Sequence, residues 1–217
     1  MSSTASFALA ALIGALTSLA ANAIWHHITS PRLLVHNPER TSIQRQAHFW
    51  GARVTMAEPL FVGRHPALAV QATMQVKDPV NGTLLATYTC RWQGTPQPVV
   101  PTAPDQYLPN IAGIPLGQRG DVYQHKSEAI DLLVKFDGEL EFYGFPNEAY
   151  FHQGHHPDFR FAGSRYLATL GVRHDQDEHQ IDFEIVNPST EAADFRIRVL
   201  DRRASGAFGP SFRNAAA

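Results

Sequence analysis

From residue 33 onward, apolar and polar residues alternate one by one over much of the chain, the period of a strand with one buried face. The clearest run is Leu68 to Val76. Leu68, Val70, Ala72, Met74 and Val76 share one face, and Ala69, Gln71, Thr73 and Gln75 share the other. Asp78-Pro79-Val80-Asn81-Gly82 follows with turn chemistry. Leu84 to Trp92 then alternates again, with Leu84, Ala86, Tyr88, Cys90 and Trp92 together, so the two runs predict a hairpin. Further alternation predicts strands at Ile130–Phe136, Leu140–Phe145, Tyr166–Val172, Ile181–Ile185 and Phe195–Val199, and earlier at Leu33–His36 and His48–Met56. No amphipathic helix is predicted after residue 31.

About eight or nine short strands with turns between them point to a mainly β fold, an antiparallel sandwich or barrel. In strand number and spacing the pattern resembles immunoglobulin-like and fibronectin-like sandwiches, and the first of these is the expected fold. The disulfide and tryptophan signature of antibody domains is absent. A fold shared so widely carries no function with it.

Before the strands the pattern changes. Phe7 to Trp25 reads FALAALIGALTSLAANAIW and contains no charged residue. Nineteen helical residues rise about 28 Å, one hydrocarbon thickness. Residues 1–30 are therefore expected to form a membrane-anchor helix spanning about 7–25, with Trp25, His26 and His27 at the headgroup level. Arg32, Arg40 and Arg45 follow the span and none precedes it, which places the strand-rich domain in the cytoplasm of a single-pass protein. Two rival readings stand beside this one. Ala21-Asn22-Ala23 fits a signal-cleavage site, giving a secreted or periplasmic chain that starts near Ile24, although Met1–Ser6 lacks the basic residues of a signal. The segment also fits a core helix of a soluble protein. Ser6, Ala10, Gly14 and Ser18 recur every four residues, a small-residue face through which two helices could meet.

Residues 31–203 make the expected domain, and 204–217 a small, polar, flexible tail. Residues 93–119 interrupt the strands with Pro96, Pro98, Pro101, Pro104, Pro109 and Pro115. A loop of that length serves binding or carries the chain from one sheet to the other.

Charge narrows the partners. The formal net charge is -2, so no strong field favours nucleic acid. Cys90 is the single cysteine, which excludes an intramolecular disulfide and a cysteine-based metal site within one chain. The expected partners are a lipid bilayer for the helix and an unknown protein or small ligand for the domain. A homodimer through Ala10, Gly14 and Ser18 is one reading of that stripe and chance spacing in an alanine-rich helix is the other, and no nucleic acid and no cofactor are expected.

No motif for a serine nucleophile, a phosphate-binding loop or a zinc protease is present. His152, His155, His156 and Asp158 carry the residue types of a transition-metal site, but Gly154 and Pro157 mark a loop, where histidines more often bond locally. His174, Asp175, Asp177, Glu178 and His179 read as a solvated turn. Arg196, Arg198, Arg202 and Arg203 read as charges guarding an edge strand. Tyr143, Phe145 and Tyr150 lie in an aromatic stretch with Asn147, a composition suited to lining a ligand groove. The function expected is a membrane-tethered, non-catalytic binding module. The alternatives are a ligand-binding sandwich released by signal cleavage and a metal-dependent enzyme using His152–Asp158.

Overall fold

A computed structural model of the chain describes residues 3–44, 46–58, 65–103, 106–110, 112–175 and 177–200. Helix α1 (Ser3–Thr29) comes first. Ser30 closes it by donating its backbone N–H to His26 O at 2.8 Å, and Pro31 stops propagation. The strands follow in order: β1 (Leu33–Val35), β2 (Glu39–Gln44), β3 (Ala47–Met56), β4 (Ala67–Lys77), β5 (Leu84–Thr89), β6 (Arg91–Trp92), β7 (Val99–Ala103) and β8 (Gln106–Pro109). A short helix α2 (Gly113–Gly117) precedes β9 (Gly120–Val122), β10 (Ser127–Phe136) and β11 (Phe142–Gly144). Two 3-10 turns, Asn147–His152 and Pro157–Phe159, lead to β12 (Arg160–Phe161), β13 (Arg165–His174), β14 (Asp177–Val186) and β15 (Arg196–Val199).

All strand pairs between these elements are antiparallel, which short connections permit. One sheet runs β1-β3-β10-β11-β12, with β2 beside β3 and β6 beside β10. The other runs β15-β14-β13-β4-β5, with β9 beside β4, and β7 and β8 form their own hairpin. The mainly β, antiparallel reading of the sequence is what the chain adopts.

One apolar core is shared by both sheets. Trp50, Val54, Ile130, Leu132 and Phe142 of the first pack with Val70, Met74, Leu170, Phe183 and Ile185 of the second. Each such side chain contributes about 1.5–3 kcal/mol through burial. The alternation of β4 is broken at one place. Ala69 takes a left-handed φ of 55° where the ladder to β9 shifts between Ala67 and Val70. The extra residue turns Leu68 outward, 52% exposed, and puts Ala67 in the core instead. Asp121 Oδ1 accepts the Ala69 N–H at 2.8 Å and holds the bulge.

The run Leu84–Trp92 is also divided. Cys90 N still donates to Ala72 O in the second sheet at 2.8 Å, whereas Arg91 and Trp92 pair with Asp131 and Ile130 of the first. The proline-rich segment then folds back with the β7–β8 hairpin and α2 inside it. The tail 204–217 lies outside the described residues.

The expected membrane span is corrected. With 27 residues α1 is long enough, but among the described residues no helix is both long and apolar enough to cross a membrane. Alanines, Gly14, Thr17, Ser18 and Asn22 dilute the leucines and isoleucines, and each small or polar side chain removes part of the transfer energy a span requires. The single-pass localisation, and the cytoplasmic placement inferred from Arg32, Arg40 and Arg45, lose their basis with it.

Candidate functional site

The ladder of β10 to β3 shifts between Asp131 and Leu133, so Leu132 and Leu133 both enter the shared core and Val134 and Phe136, expected on the same face as Ile130 and Leu132, turn away from it. On that outer face Val134 and Tyr143 gather with Phe145 and Ala149 into a second apolar cluster, joined by Ala47, Phe49, Phe136 and Tyr150. Phe49 meets Phe145 edge-on at 5.1 Å, and Phe145 meets Tyr150 at 5.2 Å. The segment after β11 covers this layer. Gly154 makes the cover possible: its φ is +90°, and a Cβ there would come within 2.9 Å of the Phe136 ring.

At the solvent edge of the layer stands Glu139. Its carboxylate accepts from Tyr143 Oη at 3.2 Å and is bonded to His155 Nε2 at 2.9 Å. The His155 ring stacks on Phe136 at 4.0 Å and lies edge-on to Tyr143 at 4.9 Å. Beneath Glu139, the backbone O accepts from Lys135 Nζ, which also donates to Ser189 O at 3.2 Å. Burial pulls the Lys135 ammonium below its ordinary range, and the carboxylates of Glu139, Glu141 and Asp137 offset part of that. Burial, helped by Glu139, pushes the Tyr143 phenol up to about 12. The hydrogen bond from Arg160 holds Glu141 below the usual carboxylate range. A phenol that stays protonated beside a carboxylate and an imidazole offers donors and acceptors in fixed positions.

The buried side of the layer is anchored by Arg91. Its Nη1 donates to Asn147 Oδ1 at 2.7 Å, its Nη2 to Thr95 O at 2.7 Å and Pro96 O at 3.1 Å, and its guanidinium lies 5.0 Å from the Tyr150 ring centre. Asn147 Nδ2 continues the network to Ile114 O at 2.6 Å. Asp131, paired with Arg91 across the ladder, accepts from Gln93 Nε2 at 2.6 Å. Burial pushes the Asp131 carboxyl up to about 6, against the lowering effects of Gln93 and Arg91.

Tyr143, Phe145 and Tyr150, expected from the sequence as ligand contacts, are thus brought together, although Tyr143 and Phe145 are both buried floor rather than surface. The four metal candidates are not. His155 joins Glu139, whereas His152 meets His156 edge-on at 4.5 Å and His156 Nδ1 accepts the Asp158 N–H at 3.2 Å. Among the described residues no three His, Cys, Asp or Glu side chains form a group that could hold a metal ion. Gly14 and Ser18 lie on α1, as does the backbone of Ala10, away from this layer.

Sequence reasoning passed over Glu139, Arg91, Asp131 and Lys135. Glu139 sits in a turn and resembles any solvated carboxylate. Arg91 and Asp131 occupy outward positions of their strands, and only the segments folded over that face bury them. The proline-rich run was the one signal that something must cover it.

Two open clefts, of about 360 and 460 Å³, flank Leu34 and Ala57 at another part of the surface. None of the groups with displaced pKa values lines them. Comparison of the chain with protein-family models, with curated proteins and with solved structures found no match.

Proposed function

We propose that the chain is a non-catalytic binding module on an immunoglobulin-like sandwich, and that it recognises its ligand through the Glu139–His155–Tyr143 group. Strand adjacency supports the fold assignment. β1-β3-β10-β6 follows the A-B-E-D order of one immunoglobulin sheet, and β14-β13-β4-β5 follows the G-F-C-C′ order of the other. The observation that carries the recognition reading is the hydrogen-bonded carboxylate, imidazole and phenol on a packed aromatic floor. Glu139 and His155 keep 34% and 40% of their side-chain surface in solvent, so they can meet a partner without rearrangement of the floor. Displaced pKa values gather at functional sites, and Lys135, Glu141, Tyr143 and Tyr150 gather around this layer. A rigid base with exposed polar heads lowers the ordering cost of binding.

The test is a thermal-shift and NMR screen of the full chain against free amino acids, short peptides and monosaccharides. Binders are expected to lose affinity by about tenfold or more in His155→Ala and in Tyr143→Phe, since each removes a hydrogen bond to the shared carboxylate. Binders that keep their affinity in both variants, or that shift only Leu34 and Ala57 in the two clefts, overturn the assignment.

A further inference from the structure

Helix α1 stands almost free of the sheets. Every side chain described from Leu12 to His26 is exposed, including Leu12, Ile13, Leu16, Leu19 and Ile24 at 56–66%. Five exposed leucine and isoleucine side chains on one helix are a liability in water unless something covers them. Their placement is ordered. At about 100° per residue, all five fall in one sector about 140° wide. Leu12, Leu16 and Leu19 follow the four-three spacing of a helix seam, with Ile13 and Ile24 on one flank. Gly14, Ser18 and Trp25 lie on the opposite side.

We infer that α1 is a self-association helix, which packs its Leu12–Leu16–Leu19 sector against the same sector of further copies of this chain, in a bundle of more than two helices. Three observations select other copies as the occupant. First, α1 contains no Asp, Glu, Lys or Arg, so identical helices meet without like-charge repulsion in either orientation. A charged partner would find nothing to pair with. Second, leucines at seam spacing are self-complementary, because each side chain fits between those of an identical neighbour. Third, area decides the number of copies. A 27-residue helix is about 40 Å long and one face about 10 Å wide, so a pair covers about 800 Å² in total. Stable interfaces start at about 1,200 Å². A sector about 140° wide is broader than a two-helix seam and lets each helix touch two neighbours, which brings the total past that threshold. Nothing in this assembly uses the small-residue face of Gly14 and Ser18.

Light scattering on the full chain after size exclusion, at about 50 µM and without detergent, tests the inference. The expected particle holds at least three chains of 24.0 kDa. Leu12→Glu with Leu16→Glu is expected to give a single chain whose β-sheet circular dichroism and thermal midpoint match the parent, which separates lost assembly from lost folding. Gly14→Leu with Ser18→Leu, on the opposite side, is expected to leave the mass unchanged. Particles of one or two chains overturn the inference. So does assembly that survives the leucine variants, assembly abolished by the Gly14 and Ser18 variants, or a monomer that instead sediments with phosphatidylcholine vesicles. His155→Ala is expected to keep the assembly intact, so failure here and failure of the recognition site are read independently.

Discussion

Arg91 on β6 and Asn147 at the start of a 3-10 turn are joined by a 2.7 Å hydrogen bond although 56 residues separate them. The bond connects three regions: the strand where the chain changes sheets, the proline-rich excursion, and the cover of the outer aromatic layer. Both side chains are about 99% buried, so neither can exchange its partner for water.

Removing either side of this contact should unfold the protein more easily. Arg91→Ala leaves Asn147 Oδ1 and the Thr95 and Pro96 carbonyls without their donor, and an expected loss of about 1–3 kcal/mol for each buried group so orphaned follows. Gly117→Ala acts on the same contact by overpacking, since its Cβ would overlap Asn147 and lie 2.6 Å from Arg91 Nη1. The expected loss there is about 1–3 kcal/mol. Urea midpoints for the two variants measure both effects, and parent-like midpoints would refute the role given to this network.

Acidity should stabilise the fold over one window. Asp131 titrates near 6 when folded and near 3.9 when unfolded, so between those values the folded chain binds more protons. Stability from this group therefore increases as pH falls through about 6 toward 4, by at most about 2–3 kcal/mol. Asp131→Asn should flatten that part of the profile. Chemical denaturation of both proteins at intervals from pH 4 to 7 reads the slope, and an unchanged slope in the variant would falsify the assignment.

Leu68 and Met74 share a face by alternation but not in the fold. Met74→Ala should cost about 2–5 kcal/mol, because Met74 is fully buried. Leu68→Ala should stay within about 0.5 kcal/mol, because the bulge at Ala69 turns Leu68 outward. Equal losses would mean that the strand keeps its alternation through Ala69.

Cys90 should serve as a reporter of global opening. It is fully buried, and burial, with the Asp131 charge nearby, raises its thiol above the ordinary range. Modification by an aromatic disulfide reagent at pH 8 is expected to follow the unfolding rate across a urea series. Immediate reaction in buffer alone would show the core of the second sheet to be open.

Strand alternation was legible where one face is core and the other solvent, as in β13 and β14. It failed where a second layer covers the outer face. Nothing in the local pattern distinguishes Asp131, buried under later segments, from Asp182, an ordinary polar position on β14. The division of Leu84–Trp92 between two sheets was hidden too, since Tyr88, Cys90 and Trp92 keep their alternation through the crossing. The aromatic stretch was visible as composition. Its partner Glu139 was not, because the turn that brings it to His155 is set by long-range packing. The apolar character of residues 7–25 was evident, but apolar is a matter of degree, and among the described residues no helix is both long and apolar enough to cross a membrane.

The β7–β8 hairpin divides the chain in an unusual way. β3 and β4 precede it, β10 and β13 follow it, and the long ladders β3–β10 and β4–β13 tie the two sides together. A polypeptide severed between Val99 and Pro109 would yield two fragments, each owning strands of both sheets and each lacking the partner strand of the long β3–β10 and β4–β13 ladders. Such fragments have reason to find one another, so the molecule is already laid out as a complementation pair, with the outer aromatic layer and the Arg91 contact restored only on reunion.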